Sequence, residues 1–235
     1  MDRVLALLAQ GEMELLGLLP DSSNYTFLAQ VSDDDLETLV VYKPQRGERP
    51  LWDFPEGTLC LREVAAFVLS QMLGWPQIPP TVLREGPHGM GAVQFFIDAN
   101  LNAHYLTFAQ ERPAEGQRIA LFDFVANNAD RKSGHCLLAS DDRVWCIDHG
   151  ITFHADYKLR TVIWEFAGQP IPATLLDDLR TLKSQLTQSS PQTKAMARFL
   201  SPREIDALHR RFSFLLRTKT FPEPGPYRAV PWPPV

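Results

Sequence analysis

The chain has 235 residues, 45% hydrophobic and 22% charged, enough for one large domain or two small lobes around an ordinary core. Its formal net charge is -5 with no basic stripe to offset it. That argues against broad nucleic-acid binding through phosphate neutralisation, while leaving room for a local basic pocket.

No segment is apolar for long enough to span a bilayer. The opening MDRVLALLAQGEM reads as an amphipathic helix rather than a signal peptide, because it carries no convincing cleavage site before Gly11 and Glu12. The three cysteines, Cys60, Cys136 and Cys146, form no CxxC pair, so reduced thiols in a cytoplasmic protein are expected. Residues 13–19, 25–31 and 36–42 then read as strands, separated by Asp-Ser-Ser-Asn and Ser-Asp-Asp-Asp, both turn chemistry. A loop rich in Pro, Gly and Trp (44–57) leads into a helix, LREVAAFVLSQMLG, with apolar residues at Leu61, Val64, Ala65, Val68 and Met72. Gly74 and Pro76 stop it. Strands are expected over 81–84 and 92–97.

The second half changes character. Residues 117–127 read as a buried helix, followed by short strands around 135–138 and 144–147. Helices are expected over 172–188, 193–200 and 202–217, the last with Ser201 at its cap and Pro202 in its first turn. The order predicts an α+β chain with no internal repeat. A strand-rich lobe (1–97) is followed, after a hinge near Asp98, by a helical lobe (98–219), with a cleft between them. The last stretch, 220–235, is too rich in proline for a helix or inner strand. Its Tyr227 and Trp232 either pack on the body or hang free, and recognition by a Pro-binding module is the weaker reading.

Four polar pieces stand out. Pro20-Asp21-Ser22-Ser23-Asn24 is a tight turn between strands, which serves either as a plain hairpin or as a donor set for phosphate. Lys43 ends the apolar run LVVYKP. It either leaves the sheet or enters the cleft, where Glu63 in the next helix, with Glu56 as a rival, would orient it. In LFDFVANNADRKSGHCLL, charged residues crowd between an apolar helix and an apolar strand, as a surface loop or as a site. In VWCIDHG, Asp148 closes a buried strand before a Gly turn, a suitable place for a hard oxygen ligand to Mg²⁺. Phosphoryl transfer requires this succession: a cover for phosphates, a cation, an Asp beside the attacking hydroxyl and an Asp on the metal.

The Asp130-Arg131 loop and Ile147-Asp148-His149-Gly150 resemble the phosphatidylinositol 3-/4-kinase superfamily, most closely a small bacterial branch of it. There the catalytic loop reads Asp-Arg-His-x-x-Asn, and the metal segment reads Asp-Phe-Gly, Asp-Asn-Gly or Asp-His-Gly. The resemblance runs from about Gly17 to about Phe214 and implies a divergent two-lobed kinase fold that uses ATP and Mg²⁺ or Mn²⁺. It implies Lys43 at the nucleotide phosphates, Asp130 as catalytic Asp, Asp148 as metal ligand, and Ser22-Ser23-Asn24 in place of a Gly-rich loop. His135 stands where the family has its metal-binding Asn, and Lys132 where it has His. An imidazole suits Mn²⁺ better than Mg²⁺, and Lys132 is placed to stabilise charge on the transferring group.

The leading expectation is a kinase that transfers the γ-phosphoryl group to a hydroxyl of a lipid, protein or small molecule. A catalytically weak nucleotide-binding module and transfer of AMP are the alternatives. A metallohydrolase built on His135, His149 and His154 with Asp130 and Asp148 is the weakest reading, since their spacing fits no HExxH-type ligand pattern.

Overall fold

The computed structural model describes residues 1–20, 24–100, 102–226 and 228–235. Its first part is an antiparallel sheet of β1 (Glu12–Leu18), β2 (Phe27–Ser32), β3 (Glu37–Pro44), β4 (Thr81–Gly86) and β5 (Gly89–Phe95), in the order β1-β2-β3-β5-β4. The two-residue side-chain period of a strand sorts β3 cleanly. Val40 and Tyr42 turn to one face, where Ala29, Val31 and Val93 join Leu7 and Leu8 of helix α1 (Asp2–Gln10) in a closed apolar cluster. Lys43 therefore turns to the other face, beside its cross-strand partner Ala92. Ala92 packs there against Cys60 and Val64 of helix α2 (Leu59–Met72).

Helix α2 is shared. Ala65, Ala66, Phe67, Leu69 and Leu73 belong to the main core, together with Phe122, Leu179, Leu208, Phe212 and Leu215 of the helical part. That part comprises α3 (Tyr105–Phe108), α4 (Pro113–Ala126), α5 (Ala173–Gln185), α6 (Pro191–Met196) and α7 (Pro202–Thr218), plus a two-stranded ribbon of β6 (Cys136–Leu138) and β7 (Val144–Cys146). Helix α7 begins as its sequence requires: Ser201 and Glu204 form a reciprocal capping box with Pro in the first turn.

Helix α3 lies where no element was expected; the other differences from expectation lie at element ends. Helix α4 starts at Pro113 rather than 117, because proline is at ease in a first turn. Helix α6 starts earlier, capped by Ser190, and stops at Met196. β5 starts at Gly89, whose φ of +93° forms the hairpin with β4. The tail is extended and lies on the body. The carbonyl of Ala229 accepts from the Thr161 amide (2.9 Å) and the Trp164 indole (3.1 Å), and that of Pro234 accepts from the Ser133 amide (2.8 Å). Trp232 is exposed, and Tyr227 lies outside the described residues. No helix among the described residues is long and apolar enough to cross a membrane.

Candidate active site

A cleft of about 160 Å³ between the sheet and the ribbon is lined by Asn24, Thr26, Lys43, Cys60, Glu63, Asp130, Lys132, His135, Asp148 and Gly150. The structure thus brings together every expected site residue that it describes. Ser22 and Ser23 lie outside the described residues.

Lys43 is the electrostatic centre. Its Nζ donates to Glu63 Oε1 at 2.5 Å and to Asp148 Oδ1 at 2.9 Å. The partner on α2 is Glu63; Glu56 instead lines a neighbouring hollow with Arg46 and Arg49. Burial works against the Lys43 charge, but the carboxylates of Asp148 and Glu63 outweigh it and raise its pKa. In return Lys43 holds Asp148 well below the usual carboxylate range, so Asp148 stays ionised. Burial pushes Glu63 upward, opposed by Lys43 and by the His149 amide, which donates to Glu63 Oε2 at 2.9 Å.

Asp130 follows directly from the way α4 ends. Asn127 stops the helix in the left-handed region (φ +52°), where asparagine is tolerated. Its side chain then ties down the carbonyls of His154 and Asp156 and the amide of Lys158. Asn128 Oδ1 accepts from the Asp130 amide at 3.0 Å, aiming that residue into the cleft. Burial, with Asp148 adding to it and Lys132 opposing it, pushes the Asp130 carboxyl up to about 6. Lys132 Nζ lies 3.8 Å from its Oδ2.

His135 faces Asp148 across 3.3 Å, from Nε2 to Oδ2. Burial lowers its pKa to about 4, leaving a neutral imidazole with a lone pair to offer at neutral pH. Asp130, His135 and Asp148 present donor atoms that all lie within 4.8 Å of one another. Two carboxylates and a neutral imidazole fit a divalent ion of the Mg²⁺–Mn²⁺ class. Asp148 itself sits at φ +60°, an uncommon conformation for a residue with a side chain and a kind of strain that concentrates at functional sites. Neither His149 nor His154 joins the group. His149 Nε2 takes a hydrogen bond from Arg131 (2.7 Å), and His154 Nε2 faces the Asp53 carbonyl (2.9 Å). The three-imidazole metal site is therefore not assembled.

Asn24 lines the cleft, yet its Oδ1 accepts from the Arg49 amide at 2.9 Å, so this oxygen anchors the loop after β3. Sequence reasoning missed Glu48, whose carboxylate accepts from the Leu59 and Cys60 amides and so caps α2 from outside it. A lone Glu in a polar loop gives no such signal. It also missed Asp123, which is fully buried and binds Arg131 through both oxygens. The isolated acid in the apolar run LFDFVA was the available clue, since a buried carboxylate requires a partner.

No protein-family model matches the chain. It is 37% identical to Protein Rv2133c of Mycobacterium tuberculosis over 263 aligned positions, covering 97% of this chain and 94% of that protein. It is 29% identical over 132 positions to phosphatidylinositol 4-kinase gamma 4 of Oryza sativa, covering 48% of this chain but 23% of that protein. Among solved structures, the Golgi casein kinase with Mn and ADP bound superposes with a TM-score of 0.63 at 16% identity, over 92% of this chain and 74% of that one. The α+β architecture is a kinase-like fold.

Proposed function

The chain belongs to the same family as Protein Rv2133c, and from that premise we propose that it is an ATP-dependent phosphotransferase acting on a hydroxyl acceptor. The observation that carries this reading is the convergence of Lys43, paired to Glu63 and Asp148, with the donor group Asp130–His135–Asp148 in one cleft. A lysine oriented by a helix carboxylate beside a metal-ligand group suits phosphoryl transfer, because it meets phosphate charge when nucleotide enters.

In this reading the acceptor oxygen attacks the γ-phosphorus, the bond from that phosphorus to the β–γ bridging oxygen breaks, and ADP leaves. Asp130 takes the hydroxyl proton. Its raised pKa matches a base working near neutrality. Lys43 shifts from Asp148 toward the phosphates while Glu63 keeps its orientation. Asp148 and His135, with Asp130 close by, would hold Mg²⁺ or Mn²⁺, whose charge offsets that of the phosphates. Lys132 balances charge on the acceptor side of Asp130. The Mn and ADP held by the Golgi casein kinase of the same fold support the assignment of nucleotide and metal.

The test uses purified protein with γ-labelled or α-labelled ATP, in Mg²⁺ or Mn²⁺, beside Asp148→Asn and Asp130→Asn. Movement of the γ label, lost in both variants, is expected. Movement of the α label would replace the reading with AMP transfer. If neither label moves while ATP raises the melting temperature, the chain is a nucleotide-binding module instead.

A further inference from the structure

Helix α2 carries two adjacent charged residues, Arg62 and Glu63, that are 1% and 2% exposed. Glu63 serves Lys43. Arg62 points elsewhere, and nothing in the chemistry of the cleft uses it. Its Nη1 donates to the Thr152 carbonyl at 2.6 Å, its Nη2 donates to Glu204 Oε1 at 2.5 Å, and its guanidinium lies 4.8 Å over the Phe54 ring. Glu204 is itself the capping-box residue of α7, with Oε2 taking the Ser201 amide (2.8 Å) and hydroxyl (2.7 Å). One carboxylate therefore closes the start of α7 and grips α2. Glu63 adds a second hold through the His149 amide.

From these contacts we infer that Arg62 is a positioning residue: it locks α2 onto the helical part, so that the Glu63–Lys43 pair stands assembled before any nucleotide, partner or modification arrives. The inference rests on the phosphotransferase reading for its consequence, but not for its physics. A helix bearing the carboxylate partner of the phosphate lysine can act as a switch only if it has a second resting place. Here α2 contributes to the main core along one side and to the sheet along the other. Moving it would strand a guanidinium and a carboxylate that are both largely buried. Arginine is the residue for this task, because its planar fork serves Thr152 and Glu204 at once and lysine cannot.

The test reads the position of α2 without reference to activity. Cys60, two residues before Arg62, is 2% exposed, and Cys136 and Cys146 are fully buried in the helical part. Thiol labelling of the nucleotide-free protein, mapped by mass spectrometry, is compared among wild type, Arg62→Met, Arg62→Lys and Glu204→Gln. Labelling of Cys60 at least tenfold faster in Arg62→Met and Glu204→Gln, with Cys136 and Cys146 still protected, is the expected result. Arg62→Lys should fall between. Protection of Cys60 in all variants overturns the lock, and so does labelling of all three thiols together, which would mean general unfolding. In unlabelled portions of the same variants kcat/KM for ATP should fall at least tenfold wherever Cys60 is released. Unchanged kcat/KM with Cys60 released would overturn the link between α2 and the phosphate site. If wild type transfers no label at all, the phosphotransferase reading fails, while the thiol result still decides the lock.

Discussion

Two cation–carboxylate pairs lie close together behind and within the cleft, and their surroundings give them opposite uses. Arg131 and Asp123 are both fully buried, and Arg131 also donates to the Ile147 carbonyl and to His149. Thr161 Oγ1 and Asn128 Nδ2 complete the shell around Asp123. Lys43 and Asp148 make a similar contact at 2.9 Å, yet the Asp148 side chain is 50% exposed. The first pair has no capacity left and no route to solvent, so it can only be scaffold. The second has lone pairs facing open space and can exchange one partner for another. Charge type does not separate structure from site here; access to solvent does.

Asp123→Asn leaves a buried guanidinium without its counter-charge and should destabilise the protein by roughly 3–5 kcal/mol, read by denaturant unfolding. Asp148→Asn should reverse the pattern: phosphotransfer falls at least about a hundredfold while the stability loss stays well below that of Asp123→Asn, because the Asp148 side chain is half exposed. Asparagine tolerates the left-handed backbone at that position, so no strain is added. A large stability loss in Asp148→Asn would erase the distinction between the two pairs.

Saturating Mn²⁺ with a non-hydrolysable ATP analogue at about 100 times Kd should stabilise wild type by about 2.7 kcal/mol, seen as a rise in Tm. Asp148→Asn should lose most of that rise and Asp123→Asn, where folded, should keep it.

The smallest effect belongs to a third pair at the surface. Arg3 bonds both oxygens of Asp33 and, with the Asp35 amide, lowers the Asp33 pKa from 3.8 to about 2. A carboxylate with a depressed folded pKa adds stability above its unfolded value, and that stability is lost as pH falls through the folded one. Asp33→Asn should therefore be slightly less stable than wild type at pH 7, with the difference fading as pH falls from about 4 to about 2.

The scaffold pair was the harder one to read from sequence. Lys43 was legible because a lysine closing LVVYKP breaks an apolar strand, and Asp130 and Asp148 because each interrupts an apolar pattern at a turn. The cap of α7 was legible because Ser201, Pro202 and Glu204 act within four residues of one another. Arg62 and Glu204 lie 142 residues apart, and no local pattern announces a contact made only after both halves have folded. The same holds for Asn24, whose turn chemistry was plain but whose bond to Arg49 depends on how the loop after β3 returns. The position of the tail was illegible for another reason: it is held through backbone carbonyls, which every residue has.

That last feature determines where motion of the tail would be visible. Pro231, Pro233 and Pro234 have no amide hydrogen to exchange with solvent, so the segment itself is nearly mute in a deuterium experiment. The hydrogens it shelters belong to other residues: the Ser133 amide beside the catalytic-loop candidate Asp130, the Thr161 amide, and the Trp164 indole. Lifting of the tail would be recorded as faster exchange at those three positions, on the surface it leaves behind.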